Sequence, residues 1–299
     1  MAHGLLMDAA RTFALTLAYD GSRFAGWQVQ PNQRTVQGEL ERVLSIVSKG
    51  SSSATGSRIL GSGRTDSGVH AIGQVARCRI EWTADESALR SAFNAKLPAD
   101  IVIRDVRETH SRFHPIADAI SKQYRYRVQV GGPRDVFAHH WYARVLYKLD
   151  LDAMQACAEV IRGEHDFAAF QAAGAERDST TRTVWKSQWI VADRISPMME
   201  APTPENLLAD ESVAWTYVVS GNGFLYNMVR NLVGSMLEVG RGRRSVKWMR
   251  SLLTCRDRRQ AGPTAPAAGL TLWSVDYPRD IFVNRASHSQ VSPDGQRAS

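Results

Sequence analysis

The chain has 299 residues, 43% of them hydrophobic, and a formal net charge of +7. That is enough for two domains or one large one, and no run approaches the roughly 18 apolar residues a membrane-spanning helix needs. Three isolated cysteines, Cys78, Cys157 and Cys255, with no C-x-x-C pair, argue against disulfides and a zinc ribbon and for a reducing, cytoplasmic setting.

The opening, MAHGLLMDAARTF, has no cationic region before its brief apolar patch, so residues 1–11 read as a frayed tail and not a signal peptide. TFALTLAYD (12–20) alternates, with Phe13, Leu15, Leu17 and Tyr19 on one side, which predicts a strand. A loop rich in Gly, Asn and Gln follows, and Thr35 then has the character of an N-cap. Val36, Leu40, Val43, Leu44 and Val47 recur at helical spacing, so 36–48 is an amphipathic helix. KGSSSATGS is a turn, RIL enters a glycine-rich loop, and QVARCRI (74–80) leaves it as a strand with Cys78 turned inward. A second helix spans 86–97, with Leu89, Phe93 and Leu97 on one face, and IVIRDVRE (101–108) is again a strand.

The second half repeats the mixture. KQYRYRVQV (122–130) alternates strictly: Tyr124, Tyr126, Val128 and Val130 face one way, Gln123, Arg125, Arg127 and Gln129 the other. LDAMQACAEVIRG is a helix capped by Asp150 and stopped at Gly163. TVWKSQWIV and SVAWTYVVS are strands, separated by an exposed excursion (193–212) with three prolines. FLYNMVRNLVGSMLEVG and SVKWMRSLLTC are helices, GLTLWSVDY is a final strand, and RASHSQVSPDGQRAS is a disordered tail. Alternating strands imply sheets with one covered face, so the fold class is α+β, with mixed, largely antiparallel sheets flanked by helices. Two domains, 12–110 and 111–278, are expected between the tails 1–11 and 279–299.

The segment GSGRTDSGVHA (61–71) combines three glycines with Arg64, Thr65 and Asp66. A dinucleotide fingerprint fails because Asp66 stands where its third glycine belongs, and neither G-K-[ST] nor G-x-S-x-G occurs. In an extended segment Arg64 and Asp66 lie on one side, where they either pair or meet a common ligand; an arginine at that distance keeps the acid ionised. An ionised carboxylate among small residues suits a nucleophile that a large substrate must approach; a surface turn with a structural ion pair is the alternative. Arg230 lies in a narrow stripe with Asn227 and Gly234 on an otherwise apolar helix and needs a carboxylate, a phosphate or water, with Asp66 one partner available to it. On alternation alone Tyr124 is a core aromatic. His110 and His114 stand four apart without a third ligand, and His139 and His140 adjoin Trp141 as surface or packing residues. The clusters RGRR (241–244) and RDRR (256–259) are either solvated faces or contacts to a polyanion.

GRTDSGVHAIGQVA resembles the active-site segment of the tRNA pseudouridine synthase A family. AYDGSRFAGWQVQPNQRTVQGELERVL, NAKLPADIVI, FHPIADAISKQYRYRV, GEHDFAAF, GFLYNMVRNLVGSMLEVG and GLTLWSVDYP resemble further blocks of that family in the same order, over residues 12–278. Position 67 is Ser where the family usually has Ala, the 193–212 excursion is longer than expected, and the tails match nothing.

The resemblance implies an isomerase that converts uridine to pseudouridine at positions 38, 39 and 40 of the tRNA anticodon stem-loop. It implies no cofactor and no metal, in line with the missing fingerprints, tRNA as partner and a homodimer. Asp66 matches the essential aspartate, as nucleophile or as partner of the sugar in glycal-type chemistry. Arg64 matches the arginine that holds the acid ionised and fills the space of the flipped base. Tyr124 matches the tyrosine that packs on the target base and is implicated in C5 proton removal, and Arg230 an arginine lining the cleft, expected to be basic and to lie between the domains. Phe24, Trp27 and Gln28 either contact RNA or close the first domain. The rival readings are an inactive tRNA-binding or tRNA-folding protein and a metal-dependent hydrolase built on Asp66 and histidines.

Overall fold

The computed structural model describes residues 10–48, 58–172, 179–192 and 213–283. The expected turn at 49–57, the excursion at 193–212 and most of both tails lie outside the described residues.

Ten strands among the described residues form one sheet. They are β1 (Ala10–Tyr19), β2 (Leu60–Gly61), β3 (His70–Glu81), β4 (Ile101–Thr109), β5 (Ser121–Val130), β6 (Ala143–Val145), β7 (Gly163–Asp166), β8 (Thr181–Ala192), β9 (Val213–Gly221) and β10 (Leu270–Asp276). The order is β4-β1-β3-β10-β5-β9-β8-β7, with β2 added to β3 and β6 to β5. Residues 12–110 thus supply one half of the sheet and residues 111–278 the other. The halves meet where β10 runs parallel to β3 over His70–Thr271 and Ala71–Leu272. Apart from that seam and the short β5–β6 pair, the pairings are antiparallel.

Among the described residues five α-helices accompany the strands: α1 (Val36–Val47), α2 (Glu86–Asn94), α3 (Leu151–Val160), α4 (Met228–Gly240) and α5 (Val246–Cys255). Thr35 caps α1 through Gly38 N–H and Asp150 caps α3 through Ala153 N–H, as their sequence positions predict. Phe13, Leu15 and Leu17 of β1 are fully buried with Val36, Leu40 and Val43 of α1; each such side chain contributes about 1.5–3 kcal/mol. Ala14 and Val75, on the opposite face, are covered by Phe113. Tyr126 and Val128 of β5 are buried in the main core, as the alternation predicts.

Several boundaries differ from expectation: β3 begins at His70 and not at 74, α2 ends at Asn94 and not at 97, and two others have a visible cause. The helix expected from Phe224 begins only at Met228, because Asn227 adopts a left-handed conformation (φ 60°) and turns the chain. Gly163 does not merely stop α3, which ends at Val160; with φ 99° it opens β7.

Gly234 on α4 permits a close approach: a Cβ built there would lie 1.7 Å from the backbone oxygen of Pro263. That approach brings the 262–265 segment against α4. Gly234→Ala is therefore expected to lower stability by about 1–3 kcal/mol, read as a lower denaturation midpoint in urea with an unchanged slope.

Candidate active site

The GSGRTD segment joins β2 to β3 and is tied down along its length. Ser62 N–H donates to Val75 O (2.7 Å), and Lys122 Nζ donates to Ser62 O (2.6 Å). Gln74, fully buried on β3, accepts from Ser62 Oγ (2.6 Å) and donates to Gly63 O (2.9 Å). Thr65 is buried, shares a hydrogen bond with Tyr19 Oη (2.8 Å), and its carbonyl accepts from Trp27 N–H (3.0 Å). The 21–35 loop reaches this close because residue 26 is glycine. Its φ is +104°, and a Cβ there would lie 2.6 Å from Thr65 O. Small residues thus let neighbouring backbone clamp the loop, and the side chain left facing the opposite half of the sheet is Asp66.

Asp66 Oδ2 accepts from Arg230 Nη1 at 2.9 Å, across 164 positions of sequence. Both side chains are largely buried, at 15% and 16% exposure. Arg230 sits in the first turn of α4 and makes two more bonds, Nε to Ala265 O (2.8 Å) and Nη1 to Asn227 Oδ1 (3.1 Å). Burial raises the Asp66 pKa above its ordinary value, and the hydrogen bond and charge of Arg230 offset that only in part.

The expected pairing of Arg64 with Asp66 is not found. Arg64 is exposed, and among the described residues it has no ion-pair partner. Arg64 turns to solvent on one side of buried Thr65 while Asp66 on the other is largely buried, so the cation beside Asp66 is Arg230 instead.

Tyr124 lies on β5, 9% exposed, packed edge-on against Phe224 with ring centroids 5.1 Å apart. Burial raises its pKa, and electrostatic repulsion from Tyr19 and Asp66 raises it further. Among the described residues no protein group is hydrogen-bonded to its hydroxyl.

The remaining candidates have structural employment. Phe24 and Trp27 are buried and close the first half of the molecule. Gln28 Nε2 donates to Gln37 Oε1 (2.9 Å). His110 bonds Asp280 O, and His114 Nδ1 accepts from Ile116 and Ala117 N–H. His140 O receives His70 Nε2, and His139 stacks on the His140 ring. Cys78 is fully buried, which pushes its thiol up to about 12. No group of three or more potential metal ligands occurs among the described residues, nor is any helix there long and apolar enough to cross a membrane.

A family model described as tRNA pseudouridine synthase matches residues 16–116 and 157–278, which include Asp66, Arg230 and their strands and helix. The chain belongs to the tRNA pseudouridine synthase family. It is 42% identical to a tRNA pseudouridine synthase A of Geobacillus sp. (strain WCH70) over 262 residues, covering 88% of this chain and 96% of that one. It is likewise 42% identical to the protein of that name from Geobacillus kaustophilus, over 90% of this chain and 95% of the other. The same identity holds with the one from Brevibacillus brevis, over 87% and 97%.

In this member of the tRNA pseudouridine synthase family, several groups around Asp66 were not singled out from sequence. Tyr19 and Gln74 read as ordinary strand residues, yet both bond the loop. The Ala265 carbonyl belongs to a stretch with no periodic signal. Asn227 was visible as a polar residue three before Arg230, but its left-handed turn was not.

The raised pKa of Asp66 has a consequence for stability. A carboxyl that binds its proton more tightly when folded stabilises the fold in its neutral form; that contribution is lost as pH rises through the folded pKa. Asp66→Asn mimics the neutral form and keeps an amide oxygen to accept from Arg230, which also retains Ala265 O and Asn227 Oδ1; it is therefore expected to melt above the parent protein at neutral pH. The gap should narrow as pH falls and close below the unfolded value of about 3.9, as followed by thermal melts across a pH series.

Proposed function

We propose that this protein isomerises uridine to pseudouridine at positions 38, 39 and 40 of the tRNA anticodon stem-loop, with Asp66 as the nucleophile toward the ribose. The observation that carries this reading is the buried Asp66–Arg230 pair, formed where the two halves of the sheet meet. A carboxylate kept ionised by one counter-ion, on a loop of small residues, suits attack on a bulky substrate. Asp66 bonds C1′ as the N-glycosidic bond breaks, the uracil turns, C5 displaces the carboxylate from C1′, and the proton lost from C5 is matched by one gained at N1. Atoms and electrons balance without an external oxidant or reductant. A stacked uridine must first leave the helix, at roughly a few kcal/mol. Arg64, exposed beside Asp66, is suited to the space the base vacates, and the Tyr124 ring to packing on the flipped uracil. Arg230 holds Asp66 ionised. The net charge of +7 favours a polyanionic partner. A cytoplasmic homodimer binding one tRNA across both subunits completes the proposal.

The direct test is to map pseudouridine in anticodon stem-loops after incubation with the protein and no added metal. Modification at 38–40 that vanishes in Asp66→Asn, with tRNA binding retained, is expected. An unmodified tRNA that still binds would make the chain an inactive binding protein, and substantial turnover in Asp66→Asn would remove Asp66 from the mechanism.

Tyr124 gives a second expectation. Tyr124→Phe keeps the ring against Phe224 and breaks no hydrogen bond to a described protein group. It should fold and bind tRNA normally. If the hydroxyl takes part in removing the C5 proton, turnover falls by about a hundredfold to ten-thousandfold. Unchanged single-turnover rates would leave Tyr124 only its packing role.

A further inference from the structure

Asn227 immediately precedes α4, where an asparagine ordinarily adopts an extended conformation and bonds its side chain to a free N–H of the first turn. It does neither. Its φ is +60° and its side chain makes no capping hydrogen bond. Oδ1 instead accepts from Nη1 of Arg230 at 3.1 Å, and the same nitrogen donates to Asp66. Asn227 thus forgoes the side-chain cap and takes a left-handed conformation that asparagine tolerates better than most residues, and its side chain is turned to the guanidinium instead.

That bond completes a three-point hold. Nε of Arg230 is fixed by Ala265 O (2.8 Å), and the 265 backbone is itself tied to the helix through Ala265 N–H to Arg230 O (3.2 Å). With Nε and one side of Nη1 occupied, the guanidinium plane is set and the remaining direction of Nη1 points at Asp66. Without Asn227 the arginine keeps Ala265 as a pivot and gains rotational freedom about it.

We propose that Asn227 is a positioning residue for the reaction: it orients Arg230, and through Arg230 the Asp66 carboxylate, without touching substrate. The inference rests on Asp66 being the reacting group. Arg230 from α4 acts on its charge directly, and Tyr124 from β5 feels that charge in turn; the other ionisable groups on or bonded to the same loop are Tyr19 from β1, through Thr65, Lys122 from β5, through Ser62 O, and exposed Arg64.

Two substitutions separate positioning from mere structure. Asn227→Gly keeps the left-handed turn, which glycine adopts freely, and removes only the amide. Its melting temperature and tRNA affinity should match the parent protein, while the single-turnover rate falls about tenfold to a hundredfold. Asn227→Asp restores an acceptor in the same place, so its rate at high pH should exceed that of Asn227→Gly. Its new charge competes for Arg230 and repels Asp66, so the acid limb of its pH–rate profile should shift to higher pH. A parental rate in Asn227→Gly overturns the proposal, as does a loss of rate that tracks a loss of melting temperature. Asp66→Asn run alongside keeps the two claims apart. If it is inactive while Asn227→Gly is fully active, only the positioning role fails; if it is active, the reading of Asp66 fails.

Discussion

The contact between Asp66 and Arg230 is the constraint around which the molecule is arranged. Two largely buried charges from distant parts of the chain meet at 2.9 Å, and each would be costly to bury alone. Their meeting requires the two halves of the sheet to be fixed relative to each other. The seam that fixes them is short, two residue pairs between β3 and β10, and it begins four residues after Asp66. Seam and ion pair therefore act at one place, and each depends on the geometry of the other.

Burial and pairing pull the Asp66 carboxyl in opposite directions, and burial prevails. A carboxylate solvated less well than in water is a better nucleophile than one neutralised by several donors, and it still needs a cation to be ionised. One arginine, held by three oxygens, meets both demands. The loop beneath has the complementary design. Its backbone is bonded by Gln74, Lys122 and Trp27, and its Thr65 hydroxyl by Tyr19, so that Asp66 is positioned by its neighbours' hydrogen bonds. This reconciles a glycine- and serine-rich sequence with a rigid placement.

Much of this was legible in the sequence because it depends on short-range patterns. Alternation at 12–20 and 122–130 and helical spacing at 36–48 report a covered face directly, and the structure has elements close to those limits. What stayed hidden depends on contacts between distant segments. Sequence proximity pairs Arg64 with Asp66, but Arg64 is exposed while Asp66 is largely buried, and the partner comes from α4. The strands β2, β6 and β7 have two to four residues, too few for a period to emerge. The start of α4 was misplaced because apolar residues at 224–226 continue the helical pattern, whereas one backbone conformation at Asn227 ends it. The single sheet was not foreseeable from halves that each look self-sufficient, since a two-pair parallel seam leaves no periodic trace.

The tyrosines restrict how a proton can move in the proposed reaction. Tyr19 and Tyr124 are both buried, and burial raises the pKa of each above the ordinary value of about 10. Neither is a phenolate at neutral pH. A neutral phenol can accept a proton from C5 only as it gives up its own, so Tyr124 would act as a relay and not as a standing base. The negative group whose field reaches Tyr124 is Asp66. Once the new bond to C5 has formed, the released Asp66 carboxylate is an acceptor whose proton affinity burial has already raised. In the proposed reaction, the desolvation that would make Asp66 reactive toward the sugar would thus also make it an effective sink, directly or through water, for the proton that Tyr124 sheds.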